Sequence, residues 1–145
     1  MLIVFISTIF VIVLSVALHY EVLTHLAETH FKRSWPSRLL LPFGVLAVIL
    51  AHVIEIWIFG FLYYFLLSLG NVGDVIGEFN YTIKDCAYFS FANYTSLGYG
   101  DIVPVGDIRF TAGSEALVGL VLIAWTASFT YLQMQQLVAN KKNNK

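Results

Sequence analysis

Residues 95–101 read TSLGYGD: Thr95, Ser96, Leu97, Gly98, Tyr99, Gly100 and Asp101. Two glycines flank a tyrosine at alternate positions and an acid follows, all between two long apolar runs. A tight turn requires one glycine, so the pair asks for another explanation, and that explanation depends on where the stretch sits. The chain of 145 residues is 59% hydrophobic and only 12% charged, with a mean hydropathy of +0.78. Charged residues make up about a quarter of a soluble domain, so this composition is that of a membrane protein, and the length allows one domain. The net charge of −1, with no basic face, leaves no electrostatic footprint for nucleic acid. The single cysteine, Cys86, has no intrachain partner and reads as a small buried apolar side chain.

A membrane-spanning helix needs about 20 mostly apolar residues. Three runs are candidates: Leu2–Leu18, Leu39–Leu69 and Ala112–Leu132. At 1.5 Å per residue the second is roughly 45 Å long and exceeds a core of about 30 Å, so it should tilt or project. No positive charge precedes the first run, so it reads as a span rather than a cleaved signal. Lys32, Arg33 and Arg38 lie between the first two runs, and Lys141, Lys142 and Lys145 lie at the end of the sequence. Positive charge marks cytoplasmic segments. The expected topology is therefore an N-terminus outside, a C-terminus in the cytoplasm, and a segment 70–111 that enters from outside. Pro36 suits the helix start before the second span, and Pro42 lies near its first turn. Trp35, Tyr20, Tyr63 and Tyr64 are candidate interfacial anchors, and Trp57 and Trp125 candidate packing residues.

Residues 70–84 are rich in glycine and read as an irregular loop, acidic through Asp74 and Glu78, with Asp85 just beyond. An acidic vestibule concentrates cations; ordinary solvated loop charge is the alternative. Residues 85–95, DCAYFSFANYT, are apolar and aromatic but too short to span. They suit a helix that enters halfway and points its partially negative C-terminus at a cation. Irregular backbone at membrane depth survives only where protein buries it or where it lines a water-filled path. Alternating right- and left-handed residues turn successive carbonyls toward one axis, and glycines at 98 and 100 permit this without a Cβ penalty. The carbonyls of Ser96, Leu97, Gly98 and Tyr99, with the Ser96 hydroxyl, would then replace the water shell of a monovalent cation. Asp101 would stand at the outer mouth.

TSLGYGD resembles the potassium-channel signature, whose filter usually reads TVGYG followed by an aspartate. The resemblance spans Leu39–Leu137 and implies an all-α membrane fold: an outer helix, a re-entrant pore helix, a selectivity filter and an inner helix. Leu2–Leu18 would be an extra N-terminal transmembrane helix, making three. The implied organisation is residues 1–38 as extra span and linker, 39–137 as pore domain, and 138–145 as a short basic tail. Thr95, Gly98, Tyr99, Gly100 and Asp101 match the signature; Ser96 replaces a threonine and keeps its hydroxyl, and Leu97 replaces valine. Tyr88 and Phe89 fall where the family often has an aromatic pair bracing the filter. Gly119 lies close to the inner-helix glycine treated as a gating hinge. Helical spacing from it places Ile123, Ala127 and Tyr131 along the cavity or its constriction. Ala92 stands where some members carry a supporting glutamate.

One chain supplies one pore loop, and a ring of carbonyls needs four, so a homotetramer in lipid is implied. The implied function is passive, potassium-selective conduction with K⁺ as permeant ligand and no cofactor. A less selective monovalent cation channel and a non-conducting subunit with the same fold are the alternatives. The sequence has no metalloprotease motif, phosphate loop or redox cysteine pair, which disfavours an enzyme. Small size and short loops point to a prokaryotic cell membrane. No span carries an arginine ladder, so voltage sensing is not expected. Too few residues follow Leu137 for a ligand-binding domain, so gating falls to the pore itself, the first span, lipid or a separate regulatory subunit.

Four polar features within or near the spans remain. His52 and Glu55, three apart, share a helix face, and intramembrane ionisable groups are costly. Antiparallel packing of a first helix that ends near Leu18 would bring Ser7 and Thr8 to them. They read as a polar patch joining two helices, a proton sensor or a metal site. Glu115 is expected either to brace the filter in place of the glutamate that position 92 lacks, or to tie the inner helix to its neighbours. Glu21, His25, Glu28 and Lys32, with His19 and His30 nearby, read as an ion-paired linker or a pH- or metal-responsive face.

Overall fold

The structure, a computed structural model, describes residues 1–32, 37–98 and 100–143. Arg33, Trp35, Pro36, Tyr99 and Lys145, each of which carries an expectation above, lie outside the described residues. Four helices and two short strands follow in the order α1 (Leu2–Lys32), α2 (Ser37–Ser68), β1 (Asp74–Gly77), α3 (Ile83–Tyr94), β2 (Ile102–Val105) and α4 (Ile108–Asn143). Three helices are long and apolar enough to cross a membrane, over Leu2–Glu28, Leu41–Ser68 and Ile108–Ala139. The protein is a multi-pass membrane protein built on an all-α plan.

The first helix does not stop at Leu18. Residues 19–32 contain neither glycine nor proline and include the good helix formers Glu21, Leu23, Leu26, Ala27, Glu28 and Lys32, so the helix continues after the apolar run fades. What reads as a linker is thus the last part of α1. Across the helices, Thr8 of α1 meets Thr111 of α4, and His19 of α1 meets Thr126 of α4. These two helices therefore run parallel, while α2 opposes them, with Tyr63 against Glu115 and His52 against Thr126.

The helix α3 has 12 residues, about 18 Å at 1.5 Å each, or little more than half the hydrocarbon core. Its start is fixed by a capping box: the Asp85 amide donates to Thr82 Oγ1 (3.2 Å) and the Thr82 amide to Asp85 Oδ2 (3.3 Å). Where an irregular loop was expected, β1 pairs antiparallel with β2, from Asp74↔Val105 to Gly77↔Ile102. The pairing closes the excursion that holds α3 and the TSLGYGD stretch.

The core joins all these parts. Phe59, Tyr63 and Leu66 of α2 pack with Cys86 and Phe89 of α3, with Val72, Val75, Phe79 and Ile102 from the strands and their flanks, and with Val4 and Val11 of α1. Tyr63 is fully buried, so it is an interior residue rather than an interfacial anchor; its ring meets Phe89 edge-on, with centroids 4.7 Å apart. Tyr20 and Tyr64 remain exposed.

The Thr82 hydroxyl, with the Thr82 and Asn80 amides, holds the Asp85 carboxyl below the ordinary aspartate range. A depressed carboxyl contributes stability at neutral pH that is lost as pH falls through the lowered value. Thr82→Ala is expected to destabilise the fold by about 1 kcal/mol and to weaken that acid dependence, the Thr82 and Asn80 amides still reaching Asp85, as read by denaturation at neutral and acidic pH with hydrogen exchange at the α3 amides.

Candidate functional site

The helix α3 ends at Tyr94, with Thr95 as its C-cap. The Thr95 amide and hydroxyl both donate to Phe91 O (3.2 and 2.7 Å). The Ser96 amide donates to Asn93 O (2.9 Å), and the Gly98 amide makes a long contact to Ala92 O (3.4 Å). The amides of this stretch thus turn back on α3. Among the described residues, no backbone hydrogen bond is made to the carbonyls of Ser96, Leu97 or Gly98. Left-handed backbone occurs at Ser96 (φ 56°) and Gly98 (φ 79°), two residues apart. The expected alternation rested on Gly98 and Gly100; the left-handed residues that the structure shows are Gly98 and, one step earlier, Ser96. A non-glycine residue there costs roughly 1–2 kcal/mol, and strain of this kind gathers at functional sites. Leu97 is 86% exposed on the single chain. Asp101 is exposed and accepts a hydrogen bond from Tyr88 Oη (3.1 Å), which raises the Tyr88 phenol above its ordinary range. Phe89 lies on the other side of α3, packed on Tyr63 and Phe79.

Two buried polar clusters grip α3 from behind. In the first, Glu115 of α4 accepts from Tyr63 Oη (2.5 Å) and is bonded to Ser90 Oγ. The Ser90 hydroxyl also lies 2.7 Å from Ile56 O, its one hydrogen serving one of these two acceptors, and Asn93 Nδ2 donates to Tyr63 Oη (3.2 Å). Glu115 thereby ties α4 to both the outer and the pore helix; its hydrogen bonds go to residues of α2 and α3 rather than to residues 95–98.

The second cluster contains His52 and Glu55, but its partners are not those expected. Thr8 bonds Thr111 Oγ1 (2.8 Å) and Ser7 bonds Ile3 O of its own helix (2.7 Å). Because α1 runs on to Lys32, its register against α2 slides, and His19 arrives at Glu55 instead. His19 Nδ1 lies 2.9 Å from Glu55 Oε1, and Tyr94 Oη donates to Glu55 Oε2. His52 Nδ1 lies 2.8 Å from Tyr94 Oη and 3.2 Å from Glu55 Oε2. His52 Nε2 and His19 Nε2 both face Thr126 Oγ1, at 3.0 and 3.2 Å. His19 and Glu55 are fully buried. Ligand-type atoms of His19, His52 and Glu55 lie within 4.8 Å of one another. Sequence reasoning placed His19 in the linker and did not assign Tyr94 or Thr126; the only local signal was a histidine following an otherwise apolar run.

Along α4, Gly119 is buried and packs on the end of α3: a Cβ there would stand 2.1 Å from Tyr94 O. Its role in this structure is close approach. Ile123, Ala127 and Tyr131 are exposed on the single chain, and Gln135 Nε2 donates to Tyr131 Oη (2.7 Å). Glycine-to-alanine changes in α4 are therefore expected to differ in sign. At Gly113, where a Cβ meets nothing within 4 Å, alanine should add roughly 0.5–1 kcal/mol of stability. At Gly119 it should cost about 1–3 kcal/mol through overpacking. Thermal unfolding of the two variants in one detergent checks both.

Residues 51–136 match the model of a family described as Ion channel. The match takes in most of α2, all of α3 with the stretch that follows, and α4 as far as Gln136. No curated protein and no solved structure matches the chain. With more than half of its length in that match, including the half-crossing helix and the helices on either side, the chain belongs to the ion-channel family and is not an enzyme.

Proposed function

We propose that the protein is a passive, potassium-selective channel whose filter is Thr95–Asp101, with main-chain carbonyls of Ser96, Leu97, Gly98 and Tyr99 replacing the hydration shell of K⁺ at the axis of a homotetramer. The observation that carries this reading is the backbone after α3: its amides turn back on the helix, and residues 96 and 98 are left-handed. An exposed Leu97 on a single chain fits a segment completed by its symmetry copies. The partial negative charge at the C-terminus of α3 favours a cation at the same place. Asp101, held by Tyr88, forms the outer end of the filter at its mouth. Ile123, Ala127 and Tyr131, exposed on α4, line the inner path. The pore domain takes residues 39–137, with 1–38 as the added span and 138–145 as a basic tail. The orientation is N-terminus outside and C-terminus in the cytoplasm, in a prokaryotic plasma membrane.

Leu97 and Ala92, which replace the usual valine and a supporting glutamate, favour a second reading in which the same pore discriminates less between monovalent cations. The deciding measurement is K⁺ flux into reconstituted vesicles, with barium as blocker and reversal potentials in mixed K⁺ and Na⁺. The expected result is barium-sensitive flux with a reversal potential that follows K⁺; one that follows both ions supports the weaker filter, and no flux supports a non-conducting subunit. Gly98→Ala places a Cβ at φ 79° and costs roughly 1–2 kcal/mol in the filter conformation, so K⁺ flux should fall about tenfold or more, with expression and oligomer size retained.

A further inference from the structure

We propose that His19, His52, Glu55 and Thr126 form a buried site for one exchangeable proton, and that this site, through Tyr94, positions the inner end of the filter. The positioning half rests on the filter reading above; the proton site does not.

Hydrogen counting defines the site. An ionised Glu55 only accepts, so His19 Nδ1, 2.9 Å from Oε1, must carry a hydrogen. Tyr94 gives its one hydrogen to Oε2, so its oxygen is left as an acceptor for His52 Nδ1 at 2.8 Å. With both rings neutral, both Nε2 atoms are then bare, and both face Thr126 Oγ1 at 3.0 and 3.2 Å. Thr126 has one hydrogen and serves one of them. The other is left facing an oxygen lone pair, fully buried if it is that of His19 and largely buried if that of His52, an arrangement that buried polar groups avoid. One added proton on that Nε2 repairs every contact at once, since Thr126 then accepts from one ring and donates to the other. It also gives Glu55 an imidazolium partner, so the site carries no net charge in a low-dielectric surrounding. Moving the proton across the His19–Glu55 bond changes neither the count nor the Nε2 pattern. A second added proton would leave the site with uncompensated positive charge.

The groups that face the site come from every helix. They are His19 of α1, with the Trp125 ring 5.5 Å from it, His52 and Glu55 of α2, Tyr94 of α3 and Thr126 of α4. The nearest further carboxyl on α4, Glu115, is engaged with Tyr63 and Ser90. Tyr94 is the last residue of α3 and directly precedes Thr95, and its carbonyl rests on Gly119. A proton leaving the site strips Glu55, the acceptor of the Tyr94 hydroxyl, of its imidazolium partner, and so bears on the residue from which the filter departs. His19 is a positioning residue acting through Glu55, and α1 becomes part of the filter's support.

The test uses the full chain in lipid vesicles, with ¹⁵N spectra of the histidine rings and K⁺ flux measured from about pH 5 to about pH 8. At the acidic end, one of the two Nε2 atoms of His19 and His52 is expected to carry a hydrogen, and at the alkaline end neither. Flux should fall about tenfold as pH rises, the size set by one unsatisfied buried group, with a single-proton slope. Thr126→Val and His19→Gln should each abolish that slope; the valine keeps the shape of the threonine, which guards against misfolding. Both Nε2 atoms bare, or both protonated, at every pH overturns the proton site while selective K⁺ flux leaves the filter reading intact. An unchanged pH slope in both variants overturns the coupling. A one-proton titration in the spectra with no K⁺ flux at any pH supports the site and counts against the filter.

Discussion

A helix that enters a bilayer and stops halfway must have its polar groups satisfied by protein, because lipid offers no hydrogen bonds. Most of this structure answers that constraint on α3. Its first turn is closed by Thr82 and Asp85, its middle by Ser90 and Asn93 bonded toward Ile56, Tyr63 and Glu115, and its last residue by Tyr94 bonded to Glu55 and His52. Apolar packing holds the opposite claims on the helix, through Cys86 and Phe89. The polar ties are costly to bury and specific in geometry. They set the rotation and depth of α3, which apolar contacts alone leave loose.

The chain's three spans and its half-crossing helix are legible from hydropathy and length, because both depend on local composition. The left-handed backbone at Gly98 is legible because glycine takes that conformation without a Cβ penalty. What escapes the sequence depends on which distant residues meet. The end of α1 is missed because apolarity fades near Leu18 while helix propensity does not. That error shifts the register of α1 against α2, so Ser7 and Thr8 are assigned to His52 and Glu55 in place of His19. The pairing of β1 with β2 joins short segments on either side of α3, and its glycines read locally as a loop. Tyr63 reads as an interfacial anchor because an aromatic residue near a helix end carries no mark of what covers it. Ser96 in a left-handed conformation has no sequence signal, since serine seldom adopts it.

The first helix alters the economy of the pore. It reaches the shared core through Val4 and Val11, meets α4 at Thr8, and enters the inner polar cluster at His19. These contacts lie at successive depths on one face. The remaining faces of α1, including Phe10 and Val13, stay exposed on the single chain. The added span is thus an inward-facing buttress with an apolar back suited to lipid, and not an appendage joined by its loop alone.

The antiparallel register of β1 and β2 has a bearing on how such pores diversify. Because Gly77 sits opposite Ile102, the intervening chain leaves and returns at one point. A segment whose ends lie side by side can change in sequence or length without dragging its flanking helices out of place, since the closure between them is already made. The half-helix and the residues after it form an interchangeable cartridge clipped into a fixed frame. Exchange of that cartridge would leave the spans in place provided that the new segment kept Ser90, Asn93 and Tyr94, the residues by which the frame grips it.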